Sequence, residues 1–266
     1  VNVARYIANG HTLFNVVNAM FFLFFLPRLI QVAIMLSPKE KKSKSRYRLP
    51  EFDERFIDST IGALAKVKGE IIGNARFAYE NLKKTSSCLT VRDDDILGER
   101  EAVEEHLDDC QKAIIRYLTT ISQGDINEPE AKEVSEMMRI TNNIERLGDS
   151  IENVSKILER IYDNNIEFSN DAKKDLVDIS RKVDAFFDLV IHEMQEKSGK
   201  DFYQEALAME DRVDQMRENM RQQHIERLRA GNCSVDVGVF FIALVSNYEK
   251  MGDYCFNIAT GVDRIM

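Results

Sequence analysis

Apolar residues recur at steps of three and four along most of the chain, the period of a helix with one buried face. The two clearest stripes are Ile140, Ile144, Leu147, Ile151, Val154, Leu158 and Ile161, and Leu244, Tyr248, Met251, Cys255, Ile258, Val262 and Ile265. The same period predicts four more helices. One turns Phe56, Ile57, Ile61, Leu64, Ile71, Ala75, Ala78 and Leu82 inward and ends near Thr85. Another runs from Asp94 to Ser122 on Val103, Leu107, Cys110, Ile114, Leu118 and Ile121. A third, capped by Ser169-Asn170-Asp171, uses Leu176, Ile179, Val183, Phe186, Phe187, Val190 and Met194. The fourth spans 201–229 on Ala206, Met209, Val213, Met216, Met220 and Leu228.

The punctuation fits that division. Gly124, Asp163-Asn164-Asn165, Ser198-Gly199 and Gly231-Asn232 fall between stripes, and Glu128-Pro129-Glu130 places Pro and acids in a first turn. With 12 Gly and 4 Pro in 266 residues, and no useful strand-like alternation, the expected fold class is all-α. Three helices followed by three helices, joined by short turns, predict two tandem up-down bundles.

The N-terminal segment is different. Residues 12–26 are apolar without a charge, Pro27-Arg28 interrupts, and Leu29–Leu36 resumes the run. Counted through the interruption this is about 25 residues, enough to span a bilayer with a kink or tilt. Lys39, Lys41, Lys42, Lys44, Arg46 and Arg48 follow directly. A basic cluster abutting an apolar span predicts that this flank is cytoplasmic. The chain opens on Val1 in sequence that reads as mid-domain, so it is expected to be part of a longer protein.

One stretch occurs twice. Asn143-Ile-Glu145-Arg-Leu-Gly148-Asp149-Ser-Ile-Glu-Asn153 is matched by Asn247-Tyr-Glu249-Lys-Met-Gly252-Asp253-Tyr-Cys-Phe-Asn257, 104 positions on and without a gap. This is an internal repeat. Glu145, Asp149 and Asn153 are spaced by four and stack on one line, nearly opposite the apolar stripe at ~100° per residue. Two carboxylates one turn apart repel unless a cation lies between them. Duplicated, they point to a site for a hard cation, against the plainer reading of a solvated acidic face. Glu210 and Asp214 form a further pair on the neighbouring helix. Aligning Val213 with Val103 puts Asp214 on Glu104, Asp211 on Glu101 and Glu210 on Arg100, so the first copy is expected to depart from the pattern: either its site is weaker, or Glu101 and Glu105 substitute.

Charge and composition narrow the function. The net charge is −9; residues 1–38 contribute +2 and 39–48 contribute +5, so the remainder stands at −16. An acidic body of that size argues against nucleic-acid binding. Four scattered cysteines without a C-x-x-C fit free thiols in a reducing compartment. No phosphate loop, H-E-x-x-H or Glu-x-x-His is present, and His106, His192 and His224 are expected at the surface or its boundary. No nucleophile–base pair is evident, so no enzymatic activity is expected.

The duplicated N-x-E-R-[LM]-G-D-x-x-x-N pattern resembles the third-helix signature of the PhoU family, over roughly 51–266. That resemblance implies two tandem three-helix bundles with metal clusters on E-x-x-x-D pairs. Ala8-Asn-Gly10-His11-Thr12-Leu-Phe14-Asn15 resembles the end of the second membrane repeat of bacterial sodium-dependent phosphate cotransporters, a family that often carries a PhoU-like domain at its C-terminus. That family's substrate-binding motifs lie upstream of this chain.

The expected organisation is a last transmembrane segment of a membrane domain (1–36), a basic cytoplasmic linker (37–50) and two PhoU-like bundles (51–163 and 164–266). The expected function is the C-terminal region of a sodium–phosphate symporter in the inner membrane, with a cytoplasmic metal-binding domain that regulates transport. The expected partners are the rest of the transporter, sodium and inorganic phosphate; a homo-oligomer is left open. The expected ligands of Mg, Mn or Fe are Glu145, Asp149, Glu210, Asp214, Glu249, Asp253, Glu101 and Glu104, with Asn153 and Asn257 beside them. The alternatives are a membrane-tethered helical scaffold and a carboxylate-bridged metalloprotein without a transport role.

Overall fold

The computed structural model describes residues 3–36, 47–52, 59–196 and 201–265, and every regular element among them is a helix. The chain divides into two units, Val1–Lys44 and Ser45–Met266.

The first unit is one helix, α1 (Val3–Leu36). It runs through Pro27 without ending. Its stretch Arg5–Leu26 is long and apolar enough to cross a membrane, and Phe24 is 85% exposed. Thr12 donates to the Ala8 carbonyl at 2.9 Å, and Asn15 Nδ2 lies 3.2 Å from His11 Nε2. The basic run 39–46 lies outside the described residues, as do Phe56, Ile57 and Ser198-Gly199.

The second unit holds α2 (Thr60–Ser87), α3 (Asp94–Gly98), α4 (Arg100–Ser122), α5 (Glu128–Asp163), α6 (Asn170–Gln195), α7 (Phe202–Arg229) and α8 (Val235–Ile265). The inward stripes of α4, α5 and α6 are all buried as the spacing predicts. Ile61 departs from its stripe: at the first turn of α2 it is 77% exposed. The helix expected from Asp94 is broken at Glu99. Asp93 caps α3 through its side chain, and the Glu99 backbone closes α3 while starting α4. Asn127 and Glu130 form a reciprocal capping box at the start of α5. Asn165, at φ 51°, turns the chain out of α5 in the left-handed region that Asn tolerates.

Helices α2, α4 and α5 pack together, and α6, α7 and α8 repeat the arrangement. Between the two sets the main contacts join equivalent helices, α5 with α8 and α2 with α6, and one continuous core runs through both. The α5–α8 interface is the most extensive in the unit. Near one end of it Glu136 accepts from Arg264 at 2.9 Å, and Gly261 sits against Ile140. Also between the two sets, Ser86 of α2 and Tyr248 of α8 share a buried hydroxyl bond of 3.1 Å.

Candidate functional site

Two glycines set the geometry of the acidic stretches. A Cβ on Gly148 would collide with Leu107 Cδ1, and one on Gly252 would lie 3.1 Å from Val213 Cγ1. Glycine at Gly148 therefore lets α5 approach α4 more closely than a side chain would without moving Leu107, and at Gly252 it lets α8 approach α7 to a distance at which a Cβ would be tight. The contacts also fix the register between repeats. Leu107 is the counterpart of Val213, which makes Glu104 and Asp108 the counterparts of Glu210 and Asp214.

The expected alignment on Val103 is thus one helical turn out. The first copy does carry an intact E-x-x-x-D, in Glu104-Glu-His-Leu-Asp108. Glu101 is exposed, a turn away from the facing carboxylates, and Arg100 bonds to Glu159 at 3.1 Å. A one-turn slip leaves the apolar pattern almost unchanged, because Val103 and Leu107 are both inward. Sequence spacing alone could not separate the two registers.

The acidic line does not lie opposite the core as its helical angle suggests. Because α5 and α8 have neighbours on several sides, Glu145, Asp149, Glu249 and Asp253 are half-buried in the grooves against α4 and α7. In the second repeat, oxygens of Glu210, Asp214 and Asp253 all lie within 4.8 Å of one another. Burial, then the charge of Asp214, raises the carboxyl pKa of Glu210 and of Asp253. Glu249 is raised by burial and by Asp253, although Arg217 at 3.4 Å pulls the other way. Carboxylates held above their ordinary range are short of positive charge. An all-oxygen donor set from two helices suits a hard divalent cation, so these residues fit the metal that the sequence suggests.

The first repeat gathers Glu104, Glu145 and Asp149 with two acids that the sequence reading left out, Asp108 and Glu152. Burial raises all three of the former; Glu152 and Asp108 add to it for Glu104 and Asp149, and Asp149 for Glu145. Here lysines stand at the rim. Lys112 bonds Asp108 and Lys156 bonds Glu152, each at 2.6 Å and each one turn along its own helix. At the counterpart of Arg217 stands Gln111, which donates to Asn142 at 2.9 Å. Among the described residues, the three-carboxylate grouping within ligating reach occurs in the second repeat.

The signature asparagines divide. Asn143 and Asn247 donate back to Arg139 and Ala243 carbonyls of their own helices at 2.7 and 2.8 Å. Asn153 is exposed and Asn257 partly so. His106 and His224 are not boundary residues: they are 6% and 5% exposed. Burial lowers both pKa values.

A PhoU domain family model matches residues 73–158 and 176–262. Over 211 residues the chain is 22% identical to a "phosphate-specific transport system accessory protein PhoU homolog 1" of Thermotoga maritima, covering 78% of this chain and 84% of the relative. The crystal structure of PhoU from Pseudomonas aeruginosa superposes with a TM-score of 0.72 at 12% identity, over 78% of this chain and 98% of that one. The phosphate transport system regulatory protein PhoU from Streptococcus pneumoniae gives 0.68 at 14% identity, over 78% and 96%.

Proposed function

This chain belongs to the PhoU domain family, and from that premise we propose that it regulates sodium-coupled phosphate transport as the cytoplasmic end of the transporter itself. The observation that carries the reading is covalent: a helix able to cross a membrane precedes the PhoU-like repeats in one chain. The proposed boundaries are a membrane segment to residue 36, a basic linker to 50, and repeats at 51–163 and 164–266.

The carboxylate grooves supply the regulatory element of this proposal. Glu210 and Asp214 on α7 with Asp253 on α8, and Glu104 on α4 with Glu145 and Asp149 on α5, would hold Mg, Mn or Fe. The bound ion supplies positive charge that each groove lacks. The residues on both helices then favour one spacing of α7 against α8 and of α4 against α5. Regulation follows if that spacing is better matched to one transport state than to another, because only a differential interaction shifts an equilibrium.

The test uses membrane vesicles of both orientations carrying the longest natural form of the protein. Protease added to inside-out vesicles digests the region after Pro50, and intact cells protect it. Sodium-gradient-driven phosphate uptake changes when Glu210, Asp214 and Asp253 are replaced by Gln, Asn and Asn. Digestion from outside intact cells, or uptake indifferent to both the sodium gradient and the triple replacement, overturns the proposal.

A further inference from the structure

Away from the carboxylates, the segment Tyr47–Pro50 lies against α2 and α4 and walls an open cavity of about 330 Å3. Its lining includes Tyr47, Arg48, Glu70, Asn74, Phe77 and His106. The volume is at the lower end of the range for small-molecule sites.

Asn74 is the anomaly. It is 4% exposed, and neither Nδ2 nor Oδ1 has a hydrogen-bond partner. Two turns on, Asn81 shows what an Asn on this helix does when it serves only the fold: it donates to the Phe77 carbonyl at 2.8 Å. Asn74 forgoes that bond. A buried amide with both ends unmatched costs about 1–3 kcal/mol per group. An apolar residue would avoid the cost, so the position is better explained by a ligand edge that supplies one acceptor and one donor side by side.

The walls suggest the rest of the ligand. Phe77 and His106 have ring centroids 4.5 Å apart, Tyr47 lies 4.8 Å from Phe77 and 5.2 Å from His106, and the three meet at 55–68°, edge to face rather than stacked. On such a wall a flat base can stack on one ring face and meet the edges of the others. Arg48 is exposed at the opening, where it can meet a phosphate, and Glu70 is partly exposed beside it, where it can accept from sugar hydroxyls. Gly73 also lines the cavity, and a Cβ there would meet nothing within 4 Å, so the space beside Asn74 is clear.

We propose that this cavity binds a purine nucleotide, its base against the Tyr47–Phe77–His106 wall, its edge paired with the Asn74 amide, and its phosphate at Arg48. The amide atoms are closed off in this structure, so the pairing requires the Asn74 side chain to turn towards the cavity. The pairing is the two-point amide–base contact by which Asn and Gln recognise adenine; guanine offers a donor and acceptor on its pairing edge as well. Because Tyr47, Arg48 and the cavity floor come from different parts of the chain, the nucleotide ties the segment after the basic linker to α2 and α4.

The experiment is calorimetric titration of the full chain in detergent with AMP, GMP, CMP, ribose 5-phosphate and inorganic phosphate. A purine nucleotide binds, and ribose 5-phosphate and phosphate do not. The AMP and GMP arms assign the base, and either result supports the site. Asn74→Leu and Gly73→Leu each weaken binding by about tenfold or more. Gly73→Leu fills the cavity from an open helical position, so its fold is expected to survive even where Asn74→Leu misfolds. In a further titration with adenosine and guanosine, Arg48→Ala weakens AMP or GMP and leaves the corresponding nucleoside unchanged. Absence of binding at millimolar AMP and GMP, CMP binding as tightly as the purines, or affinity unchanged in folded Gly73→Leu overturns the proposal.

Discussion

The two repeats share a backbone frame and handle charge differently. In both, a glycine of the signature helix meets an aliphatic residue of its neighbour, Gly148 on Leu107 and Gly252 on Val213, and this brings matching carboxylates face to face. The second repeat places Arg217 against Glu249 at 3.4 Å and leaves Glu210, Asp214 and Asp253 converging. The first puts neutral Gln111 in the arginine's place and ties Asp108 and Glu152 to surface lysines. Packing sets where the acids stand, and their neighbours set how much positive charge each cluster still lacks. The second repeat is therefore expected to take a metal ion with the simpler ligand set, and the first to release its lysines before it does so.

The sharpest test of this contrast removes the converging group. Glu210→Gln with Asp253→Asn abolishes most of the metal-induced rise in melting temperature. For an ion at a hundred times its Kd that rise is roughly 5–10 °C. The equivalent pair in the first repeat, Glu104→Gln with Asp149→Asn, removes a smaller part. Thermal melts with and without Mn or Mg check both, and an equal loss would break the comparison.

Next in size is the glycine frame. Gly148→Ala forces Leu107 out of a fully packed position and destabilises by about 1–3 kcal/mol. Gly252→Ala needs Val213 to give by only a few tenths of an ångström from 3.1 Å. Part of that cost is offset by the better helix propensity of Ala, leaving a net change of about 1 kcal/mol or less. Chemical denaturation of the two variants orders them.

How much of this was legible beforehand follows from the same contacts. The apolar stripes of α4, α5 and α6 and the α5 start are local patterns, and they emerge as the spacing predicts. The depth of the acidic line is not local. It depends on α5 and α8 being flanked on several sides, and a helical angle says nothing about how many neighbours a helix has. The register of α4 against α5 was hidden because a one-turn shift returns an apolar residue to the same face. His106 and His224 were misplaced for a related reason: their inward positions are polar residues on otherwise apolar stripes, which composition reads as surface. Glu104 is expected as a ligand but set against Asp214 instead of Glu210, and that shift hides Asp108, the second acid of an intact E-x-x-x-D.

The third test concerns the seam between the repeats. Asp184 on α6 is raised to about 6, mainly by burial and despite Lys83, and its Oδ1 has no hydrogen-bond partner. A carboxyl raised above its unfolded value penalises the folded state when ionised. Stability should therefore rise as pH falls from about 7 towards the unfolded value near 4. Asp184→Asn should remove this slope and stabilise the chain at neutral pH by about 1–2 kcal/mol after solvent screening. Melts between pH 5 and 8 read it, and a slope unchanged by the substitution sinks the assignment.

The smallest expected effect comes from converting one repeat towards the other. Arg217→Gln frees Glu249 and gives the second groove the neutral neighbour of the first. Metal affinity there should rise by a few fold, since a half-exposed ion pair is worth about 1 kcal/mol or less. Titration of this variant beside Gln111→Arg, which should lower the affinity of the first groove, closes the exchange.

The pairing of α5 with α8 and of α2 with α6 has the form of a symmetric contact. Contacts that join each helix to its own equivalent are what a two-fold dimer makes, where one patch is applied to itself. The chain thus has the plan of a two-fold dimer of half-length subunits joined end to end. The halves nevertheless differ, and Tyr248 facing Ser86 where the other copy has Ile144 is one such difference. A half expressed alone would expose the face that its twin now covers, and its expected state in solution is a pair.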